Sequence, residues 1–356
     1  MILKKLYFSN KKKIFNRICV SPMCQYSAKN GCPTDWHFRH LSNLMISGAG
    51  LIMLESTAVT KNGRISSNDL CIETNKQKKE FKKLVSYLKK INNTPIGIQL
   101  SHSGRKGSSV IPWIKSNSPL KNKDSWTTIS SSNIEKDLNW PKPKVMSAKD
   151  IENIKKKFEK SIQNSIDANF DLVELHMAHG YLMHQFLSPI CNNRDDDYGG
   201  NKHKRFKFAL EIGKIARRIL PKNKILGARI TGDDHLHSGI DVSEAAEFCV
   251  ELEKIGFDYV CVSSGGIKTK TNMKQKEFFR LDIARKIKKK TKLKVGITGL
   301  ADNFKQADKY IQKKNIDAIF VGRRFLHNPF FLYNEKYLKN NGLKDPPNQY
   351  RRGFLA

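Results

Sequence analysis

Long apolar stretches are missing from this chain. No run approaches 18 consecutive apolar residues, which excludes a transmembrane helix. The opening segment, Met1 to Lys13, is basic and has no apolar stretch behind it, so no secretory signal is expected. Cysteine is scarce: seven in 356 residues, an odd number with no close CxxC pair. That count argues against a disulfide framework and for reduced thiols and a cytoplasmic address. Acid is scarce as well, with 33 Asp and Glu against 65 Lys and Arg, a net charge of +32.

A deficit of acid invites a nucleic-acid reading, because clustered Lys and Arg neutralise phosphates. The distribution argues otherwise. The runs Lys11–Lys13, Lys155–Lys157 and Lys288–Lys290 are scattered, and Lys far outnumbers Arg. That is the pattern of a solvated surface; the expected partner is a small molecule, with neither a specific nucleic acid nor a membrane. A hydrophobic fraction of 39% and 19 Phe are enough for a large core, so global disorder is excluded.

Also missing is a glycine-rich turn after the first strand, which a doubly wound nucleotide-binding sheet would need. The strand ends instead in Ser21-Pro22-Met23-Cys24. Eight short β-branched runs are present: 18–23, 50–55, 95–99, 172–176, 225–230, 259–263, 294–298 and 318–322. Helical patterns follow at 35–47, 76–90, 148–168, 202–219, 243–254, 278–290, 303–313 and 328–337. Eight strand–helix units predict an α/β fold, a (β/α)8 TIM barrel over residues 1–338. A long polar excursion, His102 to Met146, interrupts the third unit and carries three Trp, the mark of a lid or binding element. Residues 339–356 form a polar C-terminal arm broken by Pro346-Pro347.

In such a barrel, working side chains sit where strands end. His176 and His179 stand three apart at the end of strand four, with Tyr181 beyond. Three readings are open for the histidines: metal ligands with His184, satisfied loop residues, or a donor pair for an anionic or carbonyl oxygen. In the last, neutral Tyr181 delivers a proton to a developing carbanion. Arg229 ends an apolar strand and must be paired or used. It either bridges a carboxylate such as Glu174 or stabilises an anionic group such as the edge of a reduced flavin. Gly322-Arg323, helped by Gly299, suits a phosphate at the start of the last helix.

At these residues the chain resembles the Old Yellow Enzyme family. The motifs are Ser-Pro-Met-Cys-Gln-Tyr (21–26), Gln-Leu-Ser-His-Ser-Gly-Arg-Lys (99–106), His-Met-Ala-His-Gly-Tyr-Leu (176–182), Leu-Ser-Pro (187–189) and the closing Gln-Tyr-x-Arg-Gly-Phe. Their order is similar to the thermophilic-like subclass of FMN-dependent NAD(P)H dehydrogenases and ene-reductases. The resemblance implies FMN as bound cofactor, held by Ser21, Pro22, Met23, Cys24, Ala58, Gln99, Arg229, Gly322 and Arg323. Cys24 would touch the isoalloxazine and tune its potential rather than act as a nucleophile. NADPH or NADH would donate hydride, and an activated C=C bond would accept it with Tyr181 as proton donor. Tyr26, Lys106, His176 and His179 would line the substrate pocket. Arg352 would reach it from a neighbouring subunit of a homodimer or homotetramer. The alternative is a tRNA-dihydrouridine synthase-like FMN barrel, suggested by the charge and by Asn30-Gly31-Cys32-Pro33, although that run follows strand one rather than lying mid-barrel.

Overall fold

A computed structural model describes residues 1–8, 12–121 and 123–354. Lys11 of the first basic run and the last two residues of the arm lie outside the described residues. Eight parallel strands form the closed barrel: β1 Ile18–Val20, β2 Leu51–Ala58, β3 Ile96–Ser101, β4 Leu172–Met177, β5 Ile225–Thr231, β6 Tyr259–Ser263, β7 Lys294–Thr298 and β8 Ala318–Val321. Each pairs with its sequence neighbours, and β8 returns to β1 with Phe320 opposite Cys19. The predicted barrel is therefore the observed one.

Helices α1 Asp35–Met45, α2 Asn75–Ile91, α3 Ala148–Asp167, α4 Lys202–Ile219, α5 Val242–Ile255, α6 Leu281–Lys290, α7 Phe304–Gln312 and α8 Arg323–His327 cover the outside. Their starts are encoded locally. Ser147 and Asp150 cap α3 reciprocally, and Asn201 accepts the Lys204 N–H at 3.1 Å to open α4. Asn201→Ala should cost about 1 kcal/mol, read as a lower urea midpoint with an unchanged slope.

The last helix departs from expectation. The run 328–337 is not one helix: α8 ends at His327, Pro329 follows, and the chain continues as a 3-10 turn Phe331–Asn334 and a short helix Lys336–Asn340. Proline disfavours helix in the residue before it, which is Asn328.

Two apolar layers hold the barrel. One lies between strands and helices, with Phe81, Phe158, Phe208 and Phe325 fully buried. The other fills the barrel's interior with Cys19, Leu51, Met53, Leu172, Ile225, Tyr259, Cys261 and Phe320. A hairpin, Leu6–Tyr7 paired with Lys13–Ile14, closes the end where strands begin by adding Leu6, Phe8 and Ile14 to that layer. With one end plugged, the polar strand ends gather at the other. No helix among the described residues is long and apolar enough to cross a membrane.

Candidate active site

Strand β4 delivers the histidine pair. His176 is its penultimate residue, and the chain then turns through His179 (φ 59°) and Gly180 (φ 71°) into the short helix Leu182–Leu187. The turn is tight against the loop after β6. A Cβ on Gly180 would lie 2.3 Å from the Gly266 carbonyl oxygen, so only glycine fits. Lys106 staples the same two loops, donating to the carbonyls of His179 at 2.7 Å and Gly266 at 3.2 Å. Its ammonium stands 5.0 Å from the Tyr181 ring centre. Burial, with Lys136 and Arg105 nearby, lowers the Lys106 pKa to about 7.

The three rings meet. His176 lies 5.2 Å from His179 and 4.7 Å from Tyr181, both edge-on. The Ala178 N–H donates to His176 Nδ1 at 3.3 Å, which leaves the proton on Nε2 and that nitrogen free to donate. His179 Nε2 is bonded to the Ser263 hydroxyl. Burial first, then Arg229, pushes both histidines well below their ordinary pKa, so both are neutral at pH 7. Burial pushes Tyr181 well above its own, so it keeps its proton. His184 is not part of the group: it accepts from Gly180 N at 2.8 Å and faces Asp234 at 3.2 Å. The three-histidine metal set does not form.

The segment after β1 lies across the barrel mouth. Ser21 N donates to Val321 O at 2.8 Å, and the Cα of Gly322 approaches Met23 closely enough that a Cβ would sit 3.3 Å from its sulfur. Cys24 is partly exposed beside Glu55 and Asp69, with one ligand-type atom from each within 4.8 Å of the others. Glu55 falls where the β2–β3 register shifts, and it is engaged by Gln25 N–H at 2.8 Å and His37 at 3.2 Å. Asp69 accepts from Ser66, and burial raises its pKa to about 7. Burial and these carboxylates raise the Cys24 thiol well above its usual value, so it is a thiol and not a nucleophilic thiolate. Tyr26, held at φ 48°, packs edge-on against Trp113 at 5.6 Å. That contact brings Trp113, which the sequence offered only as one of three tryptophans of the 102–146 excursion, beside Tyr26.

Inside the mouth, Glu174 accepts from Tyr259 at 2.7 Å and Gln99 at 2.7 Å. The expected alternative, an Arg229–Glu174 bridge, does not occur: among the described residues Arg229 makes no ion pair. Its Nε is buried without a partner and its Nη2 has only Thr298 Oγ1 at 3.4 Å. A buried guanidinium with spare donors fits an anionic group. Gly322 and exposed Arg323 open α8, and Ala58 is buried at the end of β2.

The arm folds back on its own chain. Tyr350 meets Phe330 at 5.3 Å and Phe354 meets Tyr333 at 5.4 Å. Tyr333 donates to Ile46 O at 2.7 Å, beyond the end of α1, so the arm lies where strands begin, opposite His176. Arg352 is exposed there. The Asn30–Gly31 run is a tight turn, with Lys29 and Cys32 exchanging backbone bonds of 3.2 and 3.0 Å.

The barrel mouth, with a buried arginine that makes no ion pair among the described residues and a neutral His–His–Tyr group, suits a flavin-dependent oxidoreductase. The chain belongs to the NADH:flavin oxidoreductase / NADH oxidase family, the Old Yellow Enzyme family, whose model matches residues 5–341. It is similar to an NADPH dehydrogenase of Listeria welshimeri, at 32% identity over 99% of this chain and 100% of that one. An NADPH dehydrogenase of Clostridium acetobutylicum is 34% identical over 95% of each chain. A NADH:flavin oxidoreductase of Gibberella zeae is 35% identical over 88% of this chain and 80% of its own length. Among solved structures, morphinone reductase has the same fold, with a TM-score of 0.76, 20% identity, and 92% and 87% of the two chains covered. A 2-naphthoyl-CoA reductase matches at a TM-score of 0.83 and 18% identity over 93% of this chain, which spans about half (51%) of that longer one. The protein is an oxidoreductase that uses FMN and a nicotinamide donor.

Proposed function

We propose that this enzyme is an ene-reductase of the thermophilic-like subclass, passing hydride from NADPH or NADH to the activated C=C bond of an α,β-unsaturated carbonyl compound. The observation that carries the reading is the packing of neutral His179 and protonated Tyr181 on neutral His176 at the end of β4. FMN, when bound, supplies the hydride chemistry. Ser21, Pro22, Met23, Cys24, Ala58 and Gln99 would hold it together with Arg229, Gly322 and Arg323. His176 and His179 donate to the carbonyl oxygen of the substrate, and they bind it more strongly as negative charge gathers there. Tyr181 gives its phenolic proton to the α-carbon. Tyr26 and Lys106 bound the pocket, Lys106 also fixing the loop that carries His179 and Tyr181. The test is product analysis with an unbranched cyclic enone and NADPH. Saturated ketone equal to the NADPH consumed supports the reading; NADPH loss with the enone recovered intact overturns it.

The same reading makes Arg352 act in trans, in a homodimer or homotetramer. The arm's place at the far end of its own barrel supports this, since Arg352 has no path to its own Tyr181. Mixing Arg352→Ala subunits with Tyr181→Phe subunits should, after exchange, recover about a quarter of wild-type activity. Half of the dimers are mixed, and each has one intact site. Confirmed exchange with no recovery contradicts it.

A further inference from the structure

Arg280 belongs to none of the motifs above, yet it is one of the most deeply placed cations at the barrel mouth. It immediately precedes α6 and is 8% exposed. Its Nε donates to Ser264 Oγ at 2.8 Å, and its Nη1 reaches Thr298 Oγ1 at 3.4 Å. Arg229, 7% exposed, sends its Nη2 to that same hydroxyl at 3.4 Å. Two guanidiniums thus converge on one neutral oxygen. Among the described residues neither has a carboxylate partner, and Arg229 Nε is bonded to nothing. The backbone makes room for the arrangement: a Cβ on Gly299 (φ 96°) would lie 2.3 Å from Arg280 Nη1. Burial and then Arg229 lower the Arg280 pKa to about 10, so both remain charged at neutral pH.

Like charges placed side by side in a dry site are unfavourable unless an anion belongs between them. Phosphate would draw one of them toward Gly322 and Arg323, but their shared hydroxyl lies at the end of β7, beside Arg229. We infer that Arg280 is a second flavin cation, which with Arg229 binds the reduced cofactor, the form carrying more negative charge, in preference to the oxidised form. It thereby raises the reduction potential. This rests on Arg229 facing the flavin ring, as proposed above.

The test compares the holoenzyme with Arg280→Gln, Arg280→Met and Arg280→Lys. Affinity for oxidised FMN is read by reconstitution of the apoprotein, and the potential by equilibration with a reference dye. Arg280→Gln should bind oxidised FMN within about threefold of the parent and lose at least tenfold more affinity for reduced FMN than for oxidised FMN. For a two-electron couple that is a potential lower by about 30 mV. Arg280→Lys, which keeps the charge, should show less than half of that shift. Arg280→Met removes the charge with an apolar stem and answers the same question if the Gln variant does not fold. Equal weakening of both forms would make Arg280 a phosphate or scaffold residue and overturn the inference, as would an unchanged potential. If Arg229→Gln leaves the potential unmoved as well, the placement of Arg229 at the ring fails first, and that outcome separates the two readings.

Discussion

Tyr181→Phe should leave reduction of the flavin by NAD(P)H within a factor of about two and slow reoxidation by an enone by about 10²–10⁴-fold, the usual worth of a positioned general acid. The asymmetry follows from geometry. On the proposed function the phenol serves the proton delivery of the second half-reaction, and the ring itself, which packs on His176 at 4.7 Å and under the Lys106 ammonium at 5.0 Å, is kept by phenylalanine. Because burial raises the Tyr181 pKa, no loss of rate through its ionisation is expected at any pH below about 10. Stopped-flow absorbance of each half-reaction measures both effects. Equal slowing of the two would remove Tyr181 as proton donor.

The second large effect is expected for His176→Ala. Loss of one oxyanion donor costs about 2.7–4 kcal/mol, or about 10²–10³ in turnover, and phenolate ligands should bind more weakly. The variant also carries a pH signature. The folded-state pKa of His176 lies well below the unfolded value near 6.5, so below that pH the unfolded chain takes up more protons than the folded one. Stability of the parent therefore falls as pH drops below about 6.5, and His176→Ala should lose stability less steeply there. Urea midpoints between pH 5 and 7 check the slope. Stoichiometric zinc that vanished in the variant would replace the donor role with ligation.

Local pattern carried most of the fold. Tyr259–Ser263 and Lys294–Thr298 have the bounds that their β-branched runs predict, and α4 starts and stops where its cap and apolar period place it. The exception, residues 328–337, has apolar residues at helical spacing that pack as a 3-10 turn and a short helix after Pro329. At the site, motif residues were legible because they sit at strand ends. Arg280 was not: it lies well beyond the Gly265–Gly266 turn, and only the barrel's closure brings it to Thr298. The place of the arm was not legible for the same reason, since nothing in the sequence says that Phe330 and Tyr333 lie within reach of Tyr350 and Phe354.

An anaerobic titration shows whether the enzyme passes hydride from NADPH to an enone. One equivalent of NADPH should bleach the visible flavin absorbance of the purified enzyme, and one equivalent of a cyclic enone should restore it, leaving saturated ketone in equal amount. A flavin that NADPH bleaches and only dioxygen restores, with the enone unconsumed, would contradict the account.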